Sequence, residues 1–267
     1  MKISRVLSLL LLLFLFFACK DNTSAPTNDL SLVRIEKALD GVFYESIDFN
    51  YDNNRNLKRI DIQFEDFLEE SYEINYDGTE FSSLIHTINN SNNGELTVTE
   101  YEIIQADNEF TLKNTEGDIK YTLRVTNGYV DYYKTFHGPN NQHYDEVIFQ
   151  RHADNNIKNI AIYGSSSDSK IYNYYFSDYD STFSLPNAYN PVMHFHYSDY
   201  NPYIAAVMGF KISDHPPLVS SYWDAGGILL QPNIVATPIV EDGVLQEFLH
   251  EEEFLGRENN LLKVYYQ

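Results

Sequence analysis

Along most of the chain, apolar and polar positions alternate with a period of two. In residues 57–64, Ile60, Ile62 and Phe64 fall on one face and Arg59, Asp61 and Gln63 on the other, the pattern of a half-buried strand. Residues 31–38 allow a helical reading through Leu32, Ile35 and Leu39. Asp40-Gly41 closing a hairpin onto residues 42–51 favours a strand instead. The alternating stretches are punctuated by Asp and Asn. Phe49-Asn50-Tyr51-Asp52 leads to Leu57 and Ile60, and Ile74-Asn75-Tyr76-Asp77-Gly78 leads to Phe81 and Leu84. Weaker copies carry markers at Asp107, Asn127, Asp154 and Asp178. Asp and Asn bond their own backbone and tolerate left-handed conformations, while Gly supplies positive φ, so these positions reverse the chain. The markers recur about every 20–30 residues, too loosely for a strict solenoid but well suited to a hairpin repeat.

The chain opens differently. Lys2 and Arg5 precede an apolar run over residues 6–18 that ends at Phe16-Phe17-Ala18-Cys19. That run is short for a membrane-spanning helix, which needs about 20 residues, and fits the apolar region of a signal peptide. Cys19 is the only cysteine, so an intramolecular disulfide is excluded. The segment resembles a bacterial lipobox, although Phe17 stands where the motif prefers a small or aliphatic residue. The resemblance implies cleavage before Cys19, lipidation of Cys19 and a membrane anchor. Lys20-Asp21 resembles, in part, a short signal that sends some lipoproteins to the cell surface. The expected organisation is a signal peptide over 1–18, a lipidated flexible tether over 19–30 and hairpin repeats over 31–184. A Pro- and aromatic-rich insertion over 185–240 and a C-terminal hairpin over 241–267, completing the same sheet, follow.

The strand–Tyr-Asp–strand units resemble the YD-repeat lipoproteins, a loose group of envelope proteins of unknown function. The likeness spans about residues 31–184 and returns at the C-terminus. It implies a mainly β fold: an extended, twisted antiparallel sheet of repeated hairpins. In residues 185–240, where most of the nine prolines fall, a central strand is not expected, because proline removes a ladder donor. Tyr203–Phe210, preceded by Asn201-Pro202, predicts a short buried helix capped by Asn201.

Composition narrows the function. The formal charge of −21 repels phosphate backbones and argues against nucleic-acid partners. The 22 Tyr and 17 Phe suit pleated surfaces and, where exposed, sugar stacking or protein interfaces. The only tryptophan, Trp223, lies in the insertion with two Tyr-Asn-Pro copies. Trp223, Tyr189 and Tyr200 are the candidate ligand-binding residues. His194 and His196, two residues apart, point to one face of a strand and are the candidate zinc pair. Asp52 to Asn56 begins like a calcium loop, but Leu57 and Gln63 replace the required Gly and Glu, so it reads as a turn. No nucleophile elbow or phosphate-binding Gly loop occurs. No cofactor is expected, zinc and calcium included. The sequence reads as a monomeric, non-catalytic outer-membrane lipoprotein, facing the cell surface or the periplasm and binding a glycan or protein. A zinc hydrolase using His194 and His196, or a purely structural envelope component, are the alternatives.

Overall fold

The computed structural model describes residues 31–39, 41–65, 67–137, 143–164, 170–181, 201–224, 226–241, 244–252 and 260–266. Sixteen strands occur among them. In chain order they are β1 (Leu32–Leu39), β2 (Val42–Tyr51), β3 (Leu57–Phe64), β4 (Leu68–Asp77), β5 (Glu80–Asn90), β6 (Glu95–Ala106), β7 (Glu109–Asn114) and β8 (Ile119–Thr126). Then come β9 (Tyr129–His137), β10 (His143–Arg151), β11 (Ile157–Gly164), β12 (Lys170–Tyr179), β13 (Pro217–Asp224), β14 (Leu229–Glu241), β15 (Val244–Glu252) and β16 (Asn260–Tyr266). One helix, α1 (Pro202–Val207), lies between β12 and β13.

Each strand pairs antiparallel with the next, and β16 pairs with β1 from Leu32↔Tyr266 to Leu39↔Asn260. The sheet is therefore a closed up-and-down barrel, not the open twisted sheet expected from the repeats. Closure satisfies the hydrogen-bonding edges that an open sheet exposes. The stretch that allows a helical reading forms β1, Leu32–Leu39, and not a helix, closing through the Gly41 turn onto β2 as the hairpin signal predicts. The C-terminal hairpin completes the same sheet, and β16 supplies its closing seam.

Two further expectations need correction. Residues 185–240 hold two full strands, β13 and β14, besides the helix. Their prolines sit where a ladder tolerates them. Pro217 is the first residue of β13. Pro232 falls in a bulge, since Ser220 pairs with Ile234 but Tyr222 with Gln231. Pro238 lies beyond Val235, where β14 is paired only with β15. The marker at Asp178 also does not reverse the chain. It takes φ 56° near the end of β12, between the paired Ser177 and Tyr179.

The other markers share one end of the barrel. Consecutive strands run in opposite directions, so the β2–β3, β4–β5, β6–β7, β8–β9 and β10–β11 turns all lie together, with Leu32 and Tyr266. One repeat is thus one pair of strands, and its variable length is variable strand length.

Inside and outside are set by the alternation. Ile35, Ile47, Ile62, Phe49, Ile60, Tyr72, Ile74 and Leu84 are buried on the inner wall. The outer wall between them carries Asp48, Asp61, Ser71 and Thr87 in one rung and Asn50, Arg59, Glu73, Ile85 and Glu100 in the next. The helix packs inside. Ile204, Ala205, Ala206 and Val207 are fully buried, and Phe210 contacts Phe81 and Phe110 with ring centroids 5.9 and 5.0 Å apart. Asn201 caps the helix as predicted, its Oδ1 accepting from Tyr203 N at 3.0 Å. The following segment is stapled to the turns at the marker end. Lys211 bridges to Tyr129, Tyr129 OH donates to Asp214 Oδ1 (2.6 Å), and His215 N donates to Asn156 Oδ1 (2.9 Å).

Candidate functional site

Trp223 lies on β13 and faces outward. Its strand is aligned by β12, where Tyr172, Tyr174 and Phe176 pair with Asp224, Tyr222 and Ser220 on the inner wall. Ser221 and Trp223 therefore share the outer wall. The indole Nε1–H donates to Ser221 Oγ at 2.9 Å, which fixes the ring along its own strand. Directly opposite Trp223 stands Asn173, and opposite Asn173 stands Ala161 on β11, with Ile148 beyond it on β10. Tyr163 and Tyr175 occupy neighbouring outer positions, Tyr175 opposite Asn159.

Side chains on the outer face of a barrel are normally accessible, yet Ala161, Asn173 and Asn159 are only 1%, 5% and 6% exposed. These short side chains form a floor, and the longer Ile148, Tyr163, Tyr175 and Trp223 stand around it. Both Asn159 Oδ1 and Asn173 Oδ1 are buried without a hydrogen-bond partner. A buried polar atom left unpaired costs about 1–3 kcal/mol, so this floor holds unused hydrogen-bonding capacity beside the only indole in the chain. Aromatic walls with a few convergent polar groups are the usual make-up of a ligand site.

The rest of this outer face is aromatic too. Lys134 Nζ lies 3.5 Å from the Tyr144 ring centroid, and the Arg124 guanidinium 5.1 Å from that of Tyr132. Burial pushes the Tyr132 hydroxyl up to about 12, and the nearby Glu146 carboxylate adds to the rise.

A second polar group lies on the inner wall. His86 Nε2 is 2.6 Å from Glu70 Oε1, and Tyr72 OH donates to the same oxygen. The Tyr72 ring stacks on His86 at 4.5 Å and on Tyr203 at 5.7 Å, and Asn201 Nδ2 donates to Tyr72 OH. Burial, reinforced by Glu70, holds the Tyr72 hydroxyl well above the usual phenol range. Deeper still, Lys37 Nζ and Glu45 Oε1 form a buried ion pair at 2.8 Å, and Tyr203 OH donates to Glu45 Oε1 at 3.1 Å. These groups partner one another, and their geometry seats the helix.

A shallow outer cavity of about 340 Å³ is lined by Asp48, Arg59, Asp61, Glu69, Thr87 and Asn89. Its charges are already engaged. Arg59 Nε donates to Asp61 Oδ1 (2.7 Å), Asn50 Nδ2 to Asp61 Oδ2 (2.8 Å) and Asn89 Nδ2 to Glu69 Oε2 (3.1 Å). Burial raises the pKa of the Asp48 carboxyl, with Arg34 opposing and Asp61 and Glu36 assisting.

Of the lipidation, ligand-binding and zinc candidates, only Trp223 falls among the described residues. Cys19, Tyr189, Tyr200, His194 and His196 lie outside the described residues, so the tyrosine and histidine assignments rest on sequence alone. Among the described residues no group of three His, Cys, Asp or Glu side chains is placed to hold a metal ion. The Asp52 carboxylate, the calcium-like candidate, accepts from Asn54 N, Asn56 N and Asn56 Nδ2, all within its own turn. Asn159 and Asn173 escaped sequence reasoning because Asp and Asn serve here as turn markers, and only strand register shows two asparagines on the floor of a face.

No family model matches the chain, and no curated protein matches it. Among solved structures it is similar to a porin-like protein from Bacteroides uniformis, at 10% identity over 91% of this chain and 99% of that one, with a TM-score of 0.43. It is also similar to a porin-like protein from Bacteroides vulgatus, at 8% identity over 90% and 99%, with a TM-score of 0.49. The description porin-like is theirs. What the walls of this barrel face is decided by its own residues.

Proposed function

We propose that the chain is a lipid-anchored, non-catalytic protein of the cell envelope. Its barrel stands in water and binds a glycan or protein partner on the outer face around Trp223. The observation that carries this reading is the polarity of the two walls. A membrane-spanning barrel turns an apolar band outward and keeps a polar interior. Here the outer rungs at mid-strand carry Asp48, Asp61, Arg59, Glu73 and Glu100, while the inner wall is mostly apolar, its polar groups pair with one another, and α1 packs against it. Each Arg or Lys facing lipid at mid-bilayer costs about 2–4 kcal/mol, and Arg59 would stand there amid carboxylates. Membrane attachment then falls to the lipid that the lipobox-like segment implies for Cys19.

Two measurements test this. Metabolic labelling with a palmitate analogue should mark the wild-type chain and leave Cys19→Ala unmarked. The chain starting at Lys20 should purify without detergent as a monomer and produce no conductance when added to planar bilayers. A requirement for detergent, or stepwise conductance, would overturn the reading. Protease treatment of intact cells, with a periplasmic marker as control, then decides which side of the outer membrane the barrel occupies.

A further inference from the structure

We propose that the trough floored by Ala161, Asn173 and Asn159 is a subsite for an uncharged oligosaccharide, one of whose sugar rings stacks on Trp223. This rests on the preceding reading that the Trp223 face takes a ligand, and it names that ligand's chemistry. Three observations converge. The floor offers buried amide oxygens that make no hydrogen bond, and acceptors of that kind call for a ligand rich in hydroxyl donors. A flat, half-buried indole, held by Ser221 Oγ, stands directly across from Asn173, and the apolar faces of sugar rings pack on such surfaces. The dimensions agree as well. Ala161, Asn173 and Trp223 lie on successive strands, so the trough spans two strand spacings, about 10 Å, the reach of a disaccharide.

Charge selects within that class. A chain at −21 repels anionic polysaccharides, and Lys134 and Arg124 on this face lie over aromatic rings. A protein partner is the less favoured occupant. A stable protein interface needs about 800 Å² from each side, whereas the unused hydrogen-bonding capacity here is confined to one narrow floor.

Because Trp223 is the only tryptophan, indole emission excited beyond the tyrosine absorption band reports this site alone. The full barrel, starting at Lys20, is titrated with maltohexaose, cellohexaose and chitohexaose, with polygalacturonate as the anionic control. At least one neutral oligosaccharide should shift or quench the emission saturably, and polygalacturonate should not. Asn173→Leu, which fills the trough and removes the amide, should weaken that binding at least tenfold. Trp223→Phe, followed by calorimetry, should weaken it by a similar factor. Circular dichroism melts of both variants separate loss of binding from loss of fold. If no neutral sugar binds, if polygalacturonate binds best, or if folded Asn173→Leu binds as well as wild type, the proposal is overturned. Palmitate labelling and the conductance assay judge the anchored-barrel reading independently, so the two failures are distinguishable.

Discussion

The Lys37–Glu45 pair shows how much a single contact inside this barrel carries. The lysine is only 4% exposed, and burial lowers its pKa below the ordinary value while Glu45 opposes that fall. Removing one partner of such a pair strands the other charge in an apolar wall, at a cost of about 3–5 kcal/mol. Glu45→Leu should therefore destabilise the barrel by that order, and Tyr203 OH loses its acceptor as well. Lys37→Met combined with Glu45→Leu should recover most of the loss in urea melts. A single variant no worse than the double would show that the pair is solvated. The tyrosines set the alkaline limit. Burial pushes Tyr44 and Tyr51 up to about 12 from an ordinary value of 10, with Glu45 adding to the rise at Tyr44. A folded pKa above the unfolded one means stability that is complete below pH 10 and drains away as pH climbs towards 12. The slope is at most ~1.4 kcal/mol per pH unit for each such group, less where water screens it. Melting temperature followed from pH 9 to 12 should fall progressively. A flat profile would mean these hydroxyls ionise freely in the folded state.

At the scale of elements, one five-residue turn recurs. In Asp52–Asn56, Asn114–Asp118 and Asp224–Ile228 the first N–H donates to the fifth carbonyl, the fourth N–H to the first carbonyl and the fifth N–H to the first side-chain oxygen. The backbone part repeats over His152–Asn156. The fourth position always has positive φ: Arg55 at 64°, Gly117 at 88°, Asn155 at 65° and Gly227 at 79°. At Gly117 an added Cβ meets nothing within 4 Å, so Gly117→Ala isolates the backbone cost. We expect a loss of about 1–2 kcal/mol, a fall of roughly 2–8 °C in Tm. An unchanged Tm would mean the turn opens without cost. This grammar is why so much of the fold was legible in the sequence: Asp, Asn and Gly at the reversals and period two between them locate most strands. Two things were not. The β13–β14 pair was hidden by prolines that bulges and unpaired ladder positions accommodate. Asp178 mimicked a turn because left-handed backbone also serves a strand irregularity.

Closure belongs to the whole molecule, and nothing local announces it. The β1–β16 seam joins opposite ends of the chain, and its alternation would suit an open sheet edge equally well. Likewise Trp223 stood out by being unique, whereas the asparagine floor opposite it exists only once β11, β12 and β13 are in register. The largest consequence of closure is that it assigns an inside and an outside, and substitutions can test that assignment directly. Leu96 and Val98 are 64% and 59% exposed on the outer wall, and Ile204 is fully buried within. In a barrel surrounded by water, Leu96→Asp and Val98→Asp trade an exposed apolar side chain for a hydrated one, and each should change stability by no more than about 0.5 kcal/mol. Ile204→Ala should cost about 2–5 kcal/mol by leaving a cavity, and Ile204→Asp should prevent folding, since an unpaired carboxylate would be buried among Ala205, Val207 and the inner wall. A lipid-spanning barrel predicts the reverse order, because the outer aspartates would face hydrocarbon and the interior would be wet. Expression and urea melts of the four variants, without detergent, therefore decide which solvent this barrel was built for. Intact outer variants beside a collapsed Ile204→Asp would place water outside and the core within.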